Sequence, residues 1–282
     1  MTTAILTLRG LLQSWGDTLS SEVRRTGHRP TKSAVVGMAA GAMGLRAGSS
    51  VSHLLNLEFG VRSDFVGLVV EDYHIGRTWN LKKPYREDTG TTVSRRHYLE
   101  DSAFVVALSG DPVLITEVAD ALRNPVLYPY LGRQGAMPSM PVFPVNRGVF
   151  DGSLMEALTA EPWQAPMHIQ LRHFDPTVQL QVVRDAGAGE TPHDVVMDIP
   201  ATGLLNEREF TPRPVVFSQI EVPVPPNEEI NTRQQKLFGA ALPTRRSLDI
   251  RTVRNGLLTE PGTGRVIPPS VAPTGHDPFS VL

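Results

Sequence analysis

AFVVALSGDPVLITEVADALRN, residues Ala103 to Asn124, changes period in its middle. The first eight residues, six of them apolar, predict a strand; from Pro112 onward, apolar residues at Val113, Leu114, Val118, Ala121 and Leu122 predict a helix facing a sheet. Upstream, FGVRSDFVGLVVEDYHIG (59–76) has strand-like content, and the polar insertion RTWNLKKPYREDTGTTVSRRHYLED (77–101) separates it from Ala103. Further back, Pro30 precedes TKSAVVGMAAGAMGL, with Val35, Val36, Ala39, Ala42 and Met43 at helical spacing. Pro suits a first helical turn, and Thr31 or Ser33 can accept from its free N–H groups. Gly37, Gly41 and Gly44 weaken such a helix by about 1 kcal/mol each, which predicts close approach of the helix to a sheet. At the start, TAILTLRG (3–10) alternates in period two and reads as a strand. The order strand, helix, strand, strand, helix is most of a βαββαβ unit, so the fold class expected is α+β, a ferredoxin-like/RRM domain.

Beyond Asn124 the pattern loosens, with short strands expected at MHIQLRHF (167–174), TVQLQVVRD (177–185), HDVVMDI (193–199) and PVVFSQIEV (214–222). The expected organisation is an RRM-like domain at 1–150, with a β-hairpin thumb at about 77–98. A smaller β-rich C-terminal part at 151–222 and a Pro-rich extended tail at 223–282 follow. No internal repeat is present.

Composition excludes several chemistries. With no cysteine there can be no disulfide, zinc–thiolate site, iron–sulfur cluster or thiol nucleophile. The beginning of the chain lacks a signal-peptide pattern and no stretch approaches ~20 apolar residues, so the expected location is cytoplasmic, without membrane contact. The net charge of −2 hides a split. Residues 1–150 hold 16 Lys and Arg against 13 Asp and Glu, and residues 151–282 hold 11 against 16. The front half is basic and the back half acidic, and the low net charge argues against a protein that coats nucleic acid everywhere.

Two segments concentrate that charge. In RRTGHRPTKSAVVGMAAGAMG (24–44), Gly27 lies five residues before Lys32 and Thr31 stands where a P-loop needs its second Gly, so the segment is not an ATP site. Arg24, Arg25, Arg29 and Lys32 beside a helix start nevertheless predict a phosphate cradle, against the alternative of a solvated loop. In 77–98, Arg77, Lys82, Lys83, Arg86, Arg95 and Arg96 interleave with Trp79, Tyr85 and Tyr98, the composition of a single-strand-binding arm. His28, His74 and His97, with Tyr73, Lys32 and Lys82 nearby in sequence, are the only candidates for acid–base RNA cleavage, and no spacing forces them together. EDYH (71–74) has ligand types without metal-site spacing, so no metal and no cofactor are expected.

These segments resemble one family, the CasD subunits of Cascade, the type I-E CRISPR surveillance complex. LTLRGLLQSWGD is similar to the family's L-R-x-x-G-P-x-Q-[SA]-W-G signature, with Leu11 and Leu12 in place of Gly-Pro. RRTGHRPTKSAVVGMAAGAMG resembles R-x-T-x-x-x-P-T-[KR]-S-G-[LV]-[LI]-G-[LM], with Ala34 in place of Gly. EDYHIG, RRHYLEDSAFVVAL and YPYLGRQGAMPSMPVF resemble three further blocks, in the family's order, so that the likeness spans most of residues 4–145. The resemblance implies a non-catalytic subunit that holds the 5′ handle of the crRNA. It also implies contact with the backbone subunit CasC and the large subunit CasA, and with target DNA only through the complex. Carried over by position, Gln13, Ser14, Trp15 and Gly16 belong to the handle surface, and Arg24, Thr26, Thr31, Lys32 and Ser33 contact its backbone. Tyr73 and His74 close the second strand near that surface; Arg77, Lys82, Lys83, Arg95 and Arg96 lie in the thumb; Arg133 is a further RNA contact. The rival within the family is a metal-independent endoribonuclease that processes precursor crRNA, as in type I-C relatives. A free-standing RRM regulator would need an RNP motif, and none is present.

Overall fold

The computed structural model describes residues 1–16, 23–79, 88–144, 148–173, 175–205 and 209–225, with two short strands at 253–254 and 257–258. Of residues 77–79, 88–89 and the two short strands only the backbone is described. The elements run β1 (Thr2–Arg9), β2 (Leu12–Gln13), β3 (Val23–Arg24), α1 (Lys32–Ala42), α2 (Ser52–Leu55), β4 (Glu58–Phe65), β5 (Val69–Trp79), β6 (Asp88–Glu100), β7 (Ala103–Gly110) and α3 (Pro112–Arg123). They continue with β8 (Val149–Asp151), α4 (Leu154–Ala160), α5 (Met167–Gln170), β9 (Thr177–Asp185), β10 (Asp194–Pro200), β11 (Phe210–Pro223), β12 (Val253–Arg254) and β13 (Leu257–Leu258). Met1–Pro225 form one unit; in the other, Pro226–Leu282, the described part is the β12–β13 pair. Most of the expected tail therefore lies outside the described residues.

A seven-stranded antiparallel sheet, ordered β10-β11-β9-β4-β7-β1-β8, dominates the first unit. Its central strands are apolar on both faces, as a doubly covered sheet requires. Ala4, Leu6, Leu8, Phe104, Val106 and Leu108 meet α1 and α3 on one side, while Ile5, Val105 and Ala107 meet Leu154, Ala157 and Leu158 of α4 on the other. α3 starts where Asp111 accepts from the N–H groups of Val113 and Leu114, with Pro112 in the first turn. Its buried stripe is Ile115, Val118, Ala119 and Leu122, so Val113, expected to face the sheet, is exposed instead. The stripe is set by i, i+3, i+4, i+7 geometry, which Val113 lies outside.

Three further expectations are corrected. The strand expected over 59–76 is two strands in two sheets: β4 ends at Phe65, and β5 begins at Val69 and pairs with β6 in a second sheet that also holds β2 and β3. Gly67 marks the crossing, because a Cβ there would lie 1.6 Å from the Glu100 carbonyl oxygen. The hairpin strands accordingly run 69–79 and 88–100, more than the 77–98 assigned to a thumb. The segment 167–174 opens as the short helix α5 and not a strand, stapled by Gln170, which donates to the carbonyls of Trp163 and Ala165. And β9–β11 do not form a separate part: β9 pairs directly with β4, from Gly60↔Arg184 to Ser63↔Gln181. That junction is pinned from below by the buried Arg62–Asp64 ion pair. Arg62 also donates to the carbonyls of Leu158, Glu161 and Pro162, and Asp64 accepts from the Gln164 N–H. No helix among the described residues is long and apolar enough to cross a membrane.

Candidate nucleic-acid interface

The second sheet is built around β6. One edge of β6 pairs with β5 along its length; the other takes β2 antiparallel at Leu99 and Glu100, and β3 in parallel at Arg95 and Arg96. The parallel register sets Arg24 directly across from Arg96. Arg133 reaches the same place from the loop after α3, donating from Nη2 to the Arg24 carbonyl at 2.9 Å while its guanidinium lies 4.7 Å over the Tyr98 ring. Like charges on paired strands repel, so a cluster of Arg24, Arg96 and Arg133 needs a counter-charge. Asp72 faces Arg96 from β5, yet Arg96 Nε and Arg133 Nη1 are shielded from solvent without any hydrogen-bond partner among the described residues. Neither nitrogen can meet a ligand while it is shielded, so the exposed Arg24 and the solvent-facing parts of the half-buried Arg96 and Arg133 are what an anion can reach.

Glycine geometry fixes the Arg133 loop. Gly132 has φ +85°, and a Cβ on it would lie 1.7 Å from the Ser14 carbonyl oxygen. Gly132 is also part of the wall of a groove of about 670 Å³ bounded by α1, by the 126–132 segment and by Leu204, Leu205 and Phe210. Along this groove α1 shows Ser33, Ala34, Gly37 and Gly41, and across it stand Tyr128, which is 81 % exposed, and Tyr130. The expectation that the glycines of α1 let the helix approach a sheet is corrected here. They form the open side of the groove instead, where Cβ atoms would come only within 3.9 Å of Leu205 and 4.0 Å of Leu127. A narrow wall, exposed aromatic rings and adjacent arginines are what a stacked base and its phosphate require.

Several expected contacts turn out to be internal. Gln13 and Trp15 are 0 % exposed and Ser14 is buried. Gln13 Nε2 donates to the carbonyls of Leu8 and Ser102 and its Oε1 accepts from the Trp15 indole, while Ser14 Oγ donates to the His97 carbonyl. These side chains knit β2 to β6 and the core, and only Gly16 of the four is exposed. Thr26 is likewise buried, accepting from the Trp15 N–H and donating to the Gly27 carbonyl. Thr31 is the N-cap of α1, accepting from the Ala34 N–H, with Ser33 Oγ 3.3 Å away.

The phosphate cradle expected at the start of α1 is filled by the protein itself. Asp198 of β10 accepts from the Lys32 N–H at 2.8 Å, and the Lys32 ammonium, 5 % exposed as a residue, pairs with Asp185 of β9 at 2.8 Å. A helix N-terminus attracts an anion, and here a folded carboxylate supplies it.

Tyr73 and His74 lie on β5 of the hairpin, across from Arg95 and Ser94, and both are exposed. Arg95 is exposed with Glu71 3.9 Å away. Arg77 has only its backbone described, and Lys82 and Lys83 lie outside the described residues. His97 Nε2 is 3.0 Å from Glu71 on one face of the hairpin, His74 points to the opposite face, and His28 is on the exposed loop before α1. The three histidines are not brought together. Among the described residues there is no group of three or more His, Asp or Glu able to hold a metal ion. The Arg29 guanidinium lies 5.4 Å over the Phe217 ring of β11; burial pushes its pKa below the ordinary value, and Asp194 partly offsets this. The sequence alone missed Tyr128 and Tyr130; the signal available was two tyrosines flanking a proline directly after a helix.

A mixed α+β fold with a large antiparallel sheet finds its counterpart among CRISPR-associated proteins, and the chain belongs to one of their families. The family model described as CRISPR-associated protein (Cas_Cas5) matches residues 3–223. The chain is 32 % identical over 155 residues to the CRISPR system Cascade subunit CasD of Escherichia coli (strain K12), covering 49 % of this chain and 68 % of that one. Among solved structures, one described as a Cas protein is 32 % identical with a TM-score of 0.58, over 79 % of this chain and 95 % of its own. A chain from a CRISPR RNA-guided surveillance complex is 27 % identical with a TM-score of 0.64, over 78 % and 91 %.

Proposed function

We propose that this protein is a non-catalytic subunit of a CRISPR surveillance complex that holds the 5′ repeat-derived handle of the crRNA. The observation that carries this reading is the convergence of the exposed Arg24 with the half-buried Arg96 and Arg133 beside the tyrosine-lined groove along α1. The arginines take backbone phosphates; Tyr128 and Tyr130 offer rings to bases, each stack being worth about 1–3 kcal/mol. On this reading Gly16, Thr31 and Ser33 border the RNA, while Gln13, Ser14, Trp15, Thr26 and Lys32 shape its surroundings from inside. The hairpin, with Tyr73, Ile75 and Val93 exposed on one face beside Arg95, is the thumb near the handle–spacer junction.

The strand order β4-β7-β1-β8, with α1 and α3 on one face, supports the ferredoxin-like frame. The relatives' membership of Cascade and of a surveillance complex supports the assignment of CasC-like and CasA-like neighbours, and of a cytoplasmic place of action. The test mixes the purified protein with labelled precursor repeat RNA in the absence of metal, on native and denaturing gels. A shifted, intact RNA that requires the 5′ handle is the expected result. Cleavage that disappears on changing His28, His74 or His97 would make this the processing nuclease.

A further inference from the structure

The N-terminal turn of α1 and the loop leading into it are held from the far end of the sequence. Asp198 Oδ2 accepts from the Lys32 N–H at 2.8 Å, and the same carboxylate accepts from Arg213 Nε and Nη2 at 2.7 and 2.8 Å. Asp185 takes the Lys32 ammonium at 2.8 Å, the Phe59 N–H at 3.0 Å and Arg213 Nη1 at 2.6 Å. Arg213 in turn lies 5.1 Å over the Phe59 ring. Two acids and two bases, nearly all buried, thus join β9, β10 and β11 to α1 and to β4. Three residues upstream, the Arg29 guanidinium rests on the Phe217 ring of β11, which also stacks with His193. With the bridge of Gly27 to Trp15, these two ties join the segment from Arg24 to Lys32 to the rest of the fold at three points.

A hydrophobic contact would have sufficed to cover this end of the sheet, and a buried charge network is a costly way to gain stability. Such a network does define one geometry, because each carboxylate oxygen has a directional partner. We propose that Asp198, Asp185 and Phe217 are positioning residues: the C-terminal strands are a strut that fixes α1 and the loop carrying Arg24, and so sets the spacing of the arginine cluster and the groove. This rests on the RNA reading above, but the strut is testable without it.

The experiment uses the full chain and its Asp198→Asn and Phe217→Leu variants, with labelled repeat RNA titrated at several salt concentrations and amide hydrogen exchange followed over residues 24–34. The isosteric Asn keeps the volume and removes the charge, and Phe217→Leu touches only the half-buried ring, so it decides the matter should Asp198→Asn fail to fold. The expected result is RNA binding weakened on the order of tenfold. With it, the salt slope becomes shallower by about 0.7 for each phosphate that is no longer neutralised, and exchange at 24–34 is faster. Affinity and salt slope unchanged in the folded variants, even with a lower Tm, would reduce the strut to a purely structural element and overturn the proposal. If the parent chain itself does not bind the RNA, it is the functional reading that fails. The strut then stands on exchange alone: faster exchange at 24–34 upholds it and unchanged exchange removes it.

Discussion

Arg133 has two engagements at once, a hydrogen bond to the Arg24 carbonyl and a stack on Tyr98. Replacing it with alanine removes a charge-assisted interaction worth about 1.5–3 kcal/mol to a bound phosphate. Arg133→Ala and Arg24→Ala are therefore expected to weaken repeat-RNA binding measurably in a filter-binding titration. Thermal stability should change little, because neither side chain is part of the core. Lys32→Ala should lower Tm, since it removes one partner of Asp185, which keeps Arg213 and the Phe59 N–H, and by loosening the start of α1 it should also weaken repeat-RNA binding. Gly132→Ala is expected to fail at both: the left-handed φ alone costs at least ~1 kcal/mol, and the added carbon overlaps the Ser14 carbonyl. A Gly132→Ala protein with parental Tm would show that the loop has another conformation open to it.

At the scale of elements, the turn between β9 and β10 provides a pH-dependent signature. Hydrogen bonds from the Arg184 guanidinium, and then from the Gly187 N–H, hold the Glu190 carboxyl down at about 2, against its ordinary 4.5. A depressed acid stabilises the fold fully above its unfolded value and loses that contribution as pH falls through its folded value. Glu190→Gln should accordingly melt below the parent at pH 6, and the gap should close between pH 4.5 and 2. A gap of constant size across that range would mean the pair does not form in solution. The element with the least apparent reason in the sequence is α1, whose glycines weaken it. Its stability comes from burial of Val35, Val36, Ala39 and Ala42 in the main core and from the Asp198 carboxylate at its start. That leaves Gly37 and Gly41 facing the groove.

Across the whole molecule, the seven-stranded sheet makes β9, β10 and β11 part of the same unit as α1 and the groove beside it. A chain ending at residue 173 would leave β4 as an open edge and remove Leu180, Val182 and Val222 from two apolar clusters. Circular dichroism and gel filtration should find it unfolded or aggregated. A cooperative melt from that truncation would instead support the division near residue 150 suggested by the sequence. Much was legible beforehand, because period-two and helical spacings are local properties: β1, β7, α3, β9 and the cap at Thr31 all follow from neighbours a few residues apart. The break of β4 from β5 was not legible, since the apolar run continues through Phe65–Val70 and only the approach of Gly67 to Glu100, thirty-odd residues on, ends the strand. The phosphate cradle misled for the same reason. Basic residues at a helix start predict an anion, and local sequence cannot tell whether it comes from a ligand or from Asp198, 166 positions away. By itself, then, the sequence determined the succession β1, α1, β4, β7, α3, the basic character of the first half and the family. Only the tertiary structure decided which basic residues remain free, because charge is a property of a residue and pairing is a property of the fold.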